Sequence, residues 1–230
     1  MRLDGPLEVR MVDLAKLDLA VLARQLGNPE GEIGRAVGDY MSAHNAAVSA
    51  AAWQRLGLKS RDRVLEVGFG NGKLIPALLA LEPELGYVGI DVSETMLAEA
   101  GGFNQALLES RQIELRLASV EAIPFPDDSF DRAVSVNTMY FWPDPQRALG
   151  ELHRVLRPEG VLVIAGITPE AAAGLPIVQH GFRIYDRKRL EELHRQAGFR
   201  SLDVETYRET TRRLEGGTHE RSYYILRAGA

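Results

Sequence analysis

The sequence contains no cysteine, and this absence excludes disulfide bonds, thiolate metal sites and thiol redox chemistry. An excess of basic residues is also missing, because 27 lysines and arginines stand against 32 aspartates and glutamates, a formal net charge of -5. Since contacts to phosphate groups need clustered positive charge, binding to nucleic acid is not expected. We predict no metal site, and the charge balance favours a small-molecule or protein substrate.

Long apolar runs are missing as well, since no stretch reaches the ~20 apolar residues that a membrane span requires. Near the amino terminus, Asp4 and Glu8 stand where a signal peptide would have its apolar core. We therefore expect a soluble, cytoplasmic protein without a membrane span. A chain of 230 residues with 45% hydrophobic content suits one α/β domain with an appendage.

A short apolar strand ends in three glycines at alternate positions, in the run Val-Leu-Glu-Val-Gly-Phe-Gly-Asn-Gly-Lys-Leu at residues 64–74. Gly68, Gly70 and Gly72 predict a nucleotide-binding turn, because a cofactor must press against the backbone where a strand feeds a helix and a Cβ would block it. Glu66 lies on the strand just before this turn. Its carboxylate is placed to accept hydrogen bonds from a cofactor that carries donors.

Position 73 lacks the third glycine of a dinucleotide-binding turn and carries Lys73 instead. An acidic residue followed by Gly-x-Gly-x-Gly resembles the first motif of the class I S-adenosylmethionine-dependent methyltransferases. This resemblance implies that Glu66 faces the cationic methionine end of the cofactor. Two alternatives stay open here. One is a nicotinamide-dependent oxidoreductase, which predicts a glycine near position 73 and a parallel last strand; the other is a tight turn whose glycines bind nothing.

Apolar and polar segments alternate after the turn as repeated strand-helix units, which is typical of a doubly wound sheet. The pattern predicts strands at Arg63–Val67, Gly86–Asp91, 113–118, 130–137, 160–167, 201–208 and 222–227. It predicts helices at 72–81 and 186–197, and a surface loop at 209–220 that holds Gly216 and Gly217. Because the last two strands follow each other directly, we expect a Rossmann-like α/β fold with seven mostly parallel strands, an antiparallel last strand and flanking helices.

Residues 1–60 are expected to form a helical cap that precedes the cofactor-binding domain at 61–230. Apolar residues recur at helical spacing on both sides of Asn28 and Pro29, which separate two helical segments. Two roles are open for this appendage. It could pack on the sheet as part of the core, or it could cover the mouth of the cofactor site.

Asp91 ends the second predicted strand, where open α/β sheets bind ligands in the crevice beside the first strand. A carboxylate offers two acceptor oxygens, so Asp91 is predicted to bind the two adjacent hydroxyls of a ribose. The alternative is that Asp91 caps the next helix. Ser93 can already fill that role, which favours ribose binding. The same acid would suit a nicotinamide cofactor.

The segment at residues 117–131, Leu-Ala-Ser-Val-Glu-Ala-Ile-Pro-Phe-Pro-Asp-Asp-Ser-Phe-Asp, follows the third predicted strand. It is similar to a stretch of the methyltransferase family that includes the ubiquinone and menaquinone biosynthesis enzymes. Residues 137–142, 151–160 and 190–199 resemble that family in the same order, so the resemblance covers about residues 60 to 200. It implies S-adenosylmethionine as cofactor and a small-molecule methyl acceptor.

Ser119 departs from the family pattern, which usually has an aspartate there. The resemblance assigns this position to the exocyclic amine of adenine and the backbone N–H of Val120 to the adenine ring. A serine hydroxyl can still accept that hydrogen bond without the charge, so we expect a loss of about 1–2 kcal/mol, and Glu121 could substitute. The predicted cofactor site comprises Glu66, Gly68, Phe69, Gly70, Gly72, Asp91, Val92, Met96, Ser119, Val120, Glu121 and Asn137.

Aromatic residues follow the fourth predicted strand, at the edge where an acceptor must meet the cofactor. Tyr140 and Trp142 are predicted to line an apolar acceptor pocket, or alternatively to pack beneath the next helix. Arg183, beyond the fifth strand, is a candidate for binding an anionic substrate. A hydroxyl or carbon acid as acceptor requires a base near the methyl group. The candidates are Tyr40, His44 and His180.

The combined pattern favours a small-molecule methyltransferase that uses S-adenosylmethionine. A second hypothesis is a cofactor-binding module without catalysis, acting as a sensor or partner protein, and Ser119 is its only support. Both hypotheses predict that Asp91→Ala loses cofactor affinity. Only an enzyme would release S-adenosylhomocysteine when it is given an acceptor.

Overall fold

A computed structural model describes residues 12–212 and 217–230 as a seven-stranded sheet with helices on both faces. The strands are β1 (Arg63–Val67), β2 (Gly86–Asp91), β3 (Ile113–Leu117), β4 (Phe130–Val136), β5 (Leu156–Ile167), β6 (Ser201–Arg212) and β7 (Thr218–Gly229). Their order in the sheet is β3-β2-β1-β4-β5-β7-β6. Strands β1 to β5 pair in parallel, and β7 lies antiparallel to both β5 and β6. The predicted fold is confirmed, and the antiparallel β7 contradicts the parallel last strand that the oxidoreductase alternative requires.

Eight α-helices and three short 3₁₀ segments accompany the sheet in the described residues. The helices are α1 (Leu19–Gly27), α2 (Gly31–Gln54), α3 (Ile75–Leu79), α4 (Glu94–Phe103), α5 (Gln105–Glu109), α6 (Pro145–Val155), α7 (Pro169–Ala172) and α8 (Arg187–Gln196). The 3₁₀ segments are Leu14–Lys16, Met139–Phe141 and Pro176–Gln179. In this part of the chain, no helix has the length and apolar character to cross a membrane.

The central strands are mostly apolar because helices cover both faces of the sheet. One buried cluster packs α6 and α8 against the sheet, and a second packs α2 and α3 against the opposite face. Strand β5 is buried continuously from Gly160 to Ala165, as a strand covered on both faces must be. The core therefore fixes the strand ends at which a ligand would bind.

The three largest differences from the sequence prediction each have a local reason. Helix α3 begins at Ile75 rather than at residue 72, because Gly72 has a positive φ of 72° and still belongs to the turn. Strand β5 begins at Leu156, where it pairs with Phe130 before a register shift. The loop expected at 209–220 is largely wrong, because β6 and β7 form a long hairpin through most of it. Gly216 lies outside the described residues.

Helix α2 joins the amino-terminal segment to the sheet. Val48, Ala52 and Trp53 in its second half belong to the same buried cluster as α3 and the central strands. At its first half, Asp39 accepts a hydrogen bond from Asn71 Nδ2 at 2.8 Å and pairs with Lys73 Nζ at 2.6 Å. One helix is thus part of the core at one end and fastened to the glycine turn at the other.

Candidate active site

A cavity of about 470 Å³, called here the first cavity, opens at the carboxyl ends of β1, β2 and β4. These strands are neighbours in the sheet, so residues far apart in sequence meet at one edge. Helix α2 covers the cavity from the opposite side. Predicted residues in its lining are Glu66, Gly68, Phe69, Gly70, Asp91, Val92, Met96, Ser119, Val120, Asn137, Trp142 and His180.

The three glycines of the turn all have positive φ angles, but they have different surroundings. A Cβ on Gly68 would lie 2.4 Å from Thr138 Cγ2, and one on Gly72 would lie 2.6 Å from Ala100 Cβ. Gly70 lines the first cavity, and a Cβ there would meet nothing within 4 Å. Gly68 and Gly72 therefore permit close packing. Gly70 leaves open the space that a ligand would fill, whereas Gly72 is not part of the lining.

Asp91 holds the glycine turn against the start of α4. Its Oδ2 accepts a hydrogen bond from the backbone N–H of Gly70 at 3.0 Å, and its Oδ1 accepts one from the N–H of Ser93 at 2.9 Å. The helix cap is Ser93, whose Oγ accepts from the N–H of Met96 at 3.0 Å. Burial raises the pKa of Asp91 to about 6, although the backbone N–H donors lower it. A ligand that donates to this carboxylate would stabilise its charged form.

Glu66 is a second buried acid in the same lining. The Tyr87 hydroxyl donates to its Oε2 at 2.6 Å. Burial raises the pKa of Glu66 to about 7, the hydrogen bond from Tyr87 lowers it, and the nearby Asp91 carboxylate raises it further. Two buried acids in one cavity favour a ligand that brings a positive charge or several donors.

The contribution of Glu66 to the stability of the ligand-free protein should therefore fall as the pH rises. The folded-state pKa of Glu66 is about 7 and its ordinary value is 4.5, so the folded protein binds more protons between these values. From pH 5 to pH 8 this group should lower the unfolding free energy by about 3 kcal/mol, with a smaller loss from Asp91. Chemical denaturation at the two pH values measures the fall. Glu66→Gln should remove most of this fall in unfolding free energy. The control variant Glu94→Gln, at an exposed position, should keep it. An equal fall in both variants would contradict the assignment to Glu66.

The segment after β3 supplies one wall of the first cavity. Ser119 and Val120 line it, and Ser119 Oγ accepts a hydrogen bond from the backbone N–H of Glu121 at 3.2 Å. Glu121 is not in the lining. Its carboxylate accepts from the N–H of Asp144, and its carbonyl accepts from Arg147 Nε at 2.9 Å. Glu121 thus fastens this segment to the start of α6, so the structure does not place it to substitute for the missing aspartate.

A second cavity of about 380 Å³ adjoins the first. Its walls come from α1, α2, the 3₁₀ segment Pro176–Gln179, the residues after β4 and the start of β7. It is lined by three residues that the sequence made candidates for base or acceptor-binding roles, namely Tyr40, His44 and Tyr140. Five residues line both cavities, namely Leu26, Met41, Asn45, Asn137 and Phe141. These five are called the shared wall below.

Asn137 stands in the shared wall with a backbone φ of +58°, in the left-handed region that few residues other than glycine adopt. Its Nδ2 donates to Asn45 Oδ1 at 3.0 Å. Its Oδ1 is buried and has no hydrogen-bond partner among the described residues. Because a buried acceptor without a partner costs free energy, this oxygen is suited to receive a donor from a ligand.

Aromatic residues form the outer side of the second cavity. Phe182 packs against Tyr140 and Phe141, with ring centroids 5.3 and 4.7 Å apart. Trp142 is buried and lines the first cavity instead. Arg183 lines neither cavity, because its Nη1 donates to the carbonyl groups of Trp142 and Pro143. The structure therefore uses Arg183 to hold a loop.

Two of the three candidate bases, Tyr40 and His44, lie together in the second cavity, and His180 lies apart from them. His44 stacks on Tyr40 with ring centroids 3.8 Å apart, and its Nδ1 lies 2.8 Å from the Tyr40 carbonyl oxygen. A carbonyl only accepts, so Nδ1 must donate, and the neutral ring then carries its basic lone pair on Nε2. His180 follows Pro176–Gln179 and lines the first cavity.

The class I methyltransferase arrangement is defined by three features that this structure has. The sheet is mostly parallel with a reversed strand between β5 and β6, a glycine turn follows β1, and an acid ends β2. The family model described as a methyltransferase domain matches residues 65–164. Over 168 residues the chain is 30% identical to the uncharacterized methyltransferase YdaC of Bacillus subtilis (strain 168), which covers 73% of this chain and 88% of YdaC. The chain belongs to the methyltransferase family.

Two further similarities are consistent with this assignment. Demethylmenaquinone methyltransferase of Thermus thermophilus is 33% identical over 129 residues, which are 55% of this chain and 56% of that protein. The crystal structure of a SAM-dependent methyltransferase from Aquifex aeolicus has the same fold, with a TM-score of 0.61 and 21% identity over 93% of this chain and 99% of that one.

Proposed function

We propose that the protein transfers the methyl group of S-adenosylmethionine to a small molecule. The observation that carries this proposal is the pair of adjoining cavities with a shared wall. The first cavity has the polar groups that the cofactor needs, and the second is enclosed mainly by apolar and aromatic side chains. Methyl transfer needs an acceptor atom held in line with the methyl group. Because the two cavities share a wall, a cofactor in the first and an acceptor in the second would lie next to each other.

Several features of the first cavity fit S-adenosylmethionine. Gly70 leaves backbone surface open beside the cavity, and the Asp91 carboxylate can accept from ribose hydroxyls. Glu66 and the unpartnered Oδ1 of Asn137 can accept from the ammonium group of the methionine end. Ser119 and Val120 line the same cavity and would contact the adenine. When bound, the cofactor supplies a sulfonium whose methyl group is already activated.

The residues of the second cavity would orient the acceptor and exclude water. Most of the positioning comes from the 3₁₀ segment Pro176–Gln179 and the aromatic side chains of Tyr140, Phe141 and Phe182. For an acceptor that loses a proton, His44 would be the candidate base, because its imidazole lines this cavity.

Calorimetry with S-adenosylhomocysteine tests the cofactor, and NAD is the matched control ligand. We expect a dissociation constant below 1 mM for S-adenosylhomocysteine and no measurable binding of NAD, because no glycine stands at position 73. Binding of NAD without binding of S-adenosylhomocysteine would contradict the proposal. Catalysis is tested separately, by transfer of a radiolabelled methyl group to a panel of phenols, amines and carboxylic acids. Cofactor binding without transfer to any of them would favour a sensor.

A further inference from the structure

Arg221 is the one lysine, arginine, aspartate or glutamate among the described residues that line the second cavity. The rest of the lining is apolar or aromatic, apart from two asparagines and His44. A half-buried guanidinium in such surroundings is costly to desolvate, so its placement requires groups that interact with positive charge. Sequence analysis missed it, because the residue fell next to a segment expected to be a loop.

The hairpin of β6 and β7 positions Arg221. Side chains alternate along a strand, so Arg221 and Tyr223 point to the same side of β7, and both line the second cavity. The hydroxyls of Tyr223 and Tyr40 lie within hydrogen-bonding range of the guanidinium. Glu209 faces Arg221 across the hairpin, but it does not line the cavity, and its Oε1 accepts a hydrogen bond from Tyr223 at 3.0 Å.

Tyrosine hydroxyls surround Arg221 at this corner of the cavity. Burial raises the pKa of Tyr223 to about 12 and that of Tyr140 well above its usual range, so both hydroxyls keep their protons at neutral pH. A guanidinium presents five N–H donors in a planar fork that matches a carboxylate. Because these hydroxyls carry no charge, the guanidinium makes this corner favour a negatively charged group over a neutral one.

We propose that the methyl acceptor is an apolar molecule with a carboxylate, which Arg221 binds while a different atom of the acceptor receives the methyl group. This inference rests on the proposed function. Arg221 lies on β7 and Asn137 follows β4, with β5 between these strands. Two strand spacings separate the backbones of these residues by on the order of 10 Å, so an acceptor anchored at Arg221 would extend from there toward the shared wall. A carboxylate held by Arg221 would then be an anchor and not the methylated group.

The test uses phenylalkanoates with two to six chain carbons and their carboxamides, which have the same shape without the charge. Binding is measured by calorimetry with the protein saturated by S-adenosylhomocysteine. At least one carboxylate should bind ten times more tightly than its amide, and Arg221→Gln should reduce this ratio to less than two. Arg208→Gln is the matched control, because Arg208 pairs with Ser222 and so points to the other side of the hairpin; it should leave the ratio unchanged.

Two results would overturn the proposal: no carboxylate that binds more tightly than its amide, or a preference that persists in Arg221→Gln. The titration with S-adenosylhomocysteine is recorded separately, so a failure of the proposed cofactor is distinguished from a failure of the proposed anchor. Should the glutamine variant not fold, Arg221→Lys gives the same test. The preference should then fall at least threefold because the planar fork is lost, and an unchanged preference would refute the role of Arg221.

Discussion

Gly70→Ala is expected to raise the dissociation constant of S-adenosylhomocysteine at least tenfold while the protein stays folded. The added methyl group meets no protein atom within 4 Å, so its stability cost comes mainly from the φ of +59° and should be about 1–2 kcal/mol. The same methyl group would project into the space that the ligand needs. Calorimetry measures the affinity, and chemical denaturation measures the unfolding free energy.

Gly57→Ala is a matched control for this effect. Gly57 has a φ of +62° and open space around its Cβ position, but it does not line either cavity. The two variants should therefore lose similar stability, and only Gly70→Ala should lose affinity. Equal affinities in the two variants would show that the ligand does not lie against Gly70.

Asp91→Ala is expected to raise the dissociation constant of S-adenosylhomocysteine at least a hundredfold. A carboxylate that accepts from two ribose hydroxyls makes two charge-assisted hydrogen bonds, each worth about 1.5–3 kcal/mol. The substitution also removes the acceptors for the N–H groups of Gly70 and Ser93, which loosens the turn. The measurement is calorimetry, supported by a denaturation curve to show that the variant is folded.

Ser93→Ala separates ligand binding from helix capping at this site. Ser93 caps α4 and does not line the first cavity, so its loss should cost about 1–2 kcal/mol of stability and change the affinity less than threefold. If both variants lose affinity to the same extent, Asp91 acts by supporting α4 and not by contact with the ribose.

The sequence predicted the strands near the glycine turn well because local signals mark their ends. Strands β1 and β2 have the predicted bounds, since a glycine turn follows the first and a helix cap follows the second. The length of the hairpin formed by β6 and β7 was underestimated. Its twelve paired positions include many polar residues, which resemble a loop when their pairing partners are unknown.

The two cavities also differ in how far their residues could be predicted from the sequence. The residues of the first cavity that were predicted from sequence, including Asp91 and Ser119, are mostly those at strand ends in short motifs, whereas the lining residues from α1 and α2 were not predicted. The second cavity combines α2, Phe182 and the start of β7, which no motif connects. Asn45 and Arg221 were missed because their roles arise only when helix and hairpin meet. Arg183 is the opposite case, because it was a candidate for substrate binding but donates to the carbonyl group of Trp142. Lys73 likewise binds a protein group, the carboxylate of Asp39.

Because the two cavities share only five lining residues, other positions line one cavity and can be substituted without changing the other. The 3₁₀ segment Pro176–Gln179 and the start of β7 contribute to the second cavity and not to the first. Substitutions there would alter the size or charge of the accepted molecule without disturbing the glycine turn or Asp91. If the second cavity holds the proposed acceptor, a library confined to these positions is the natural starting point for changing its specificity.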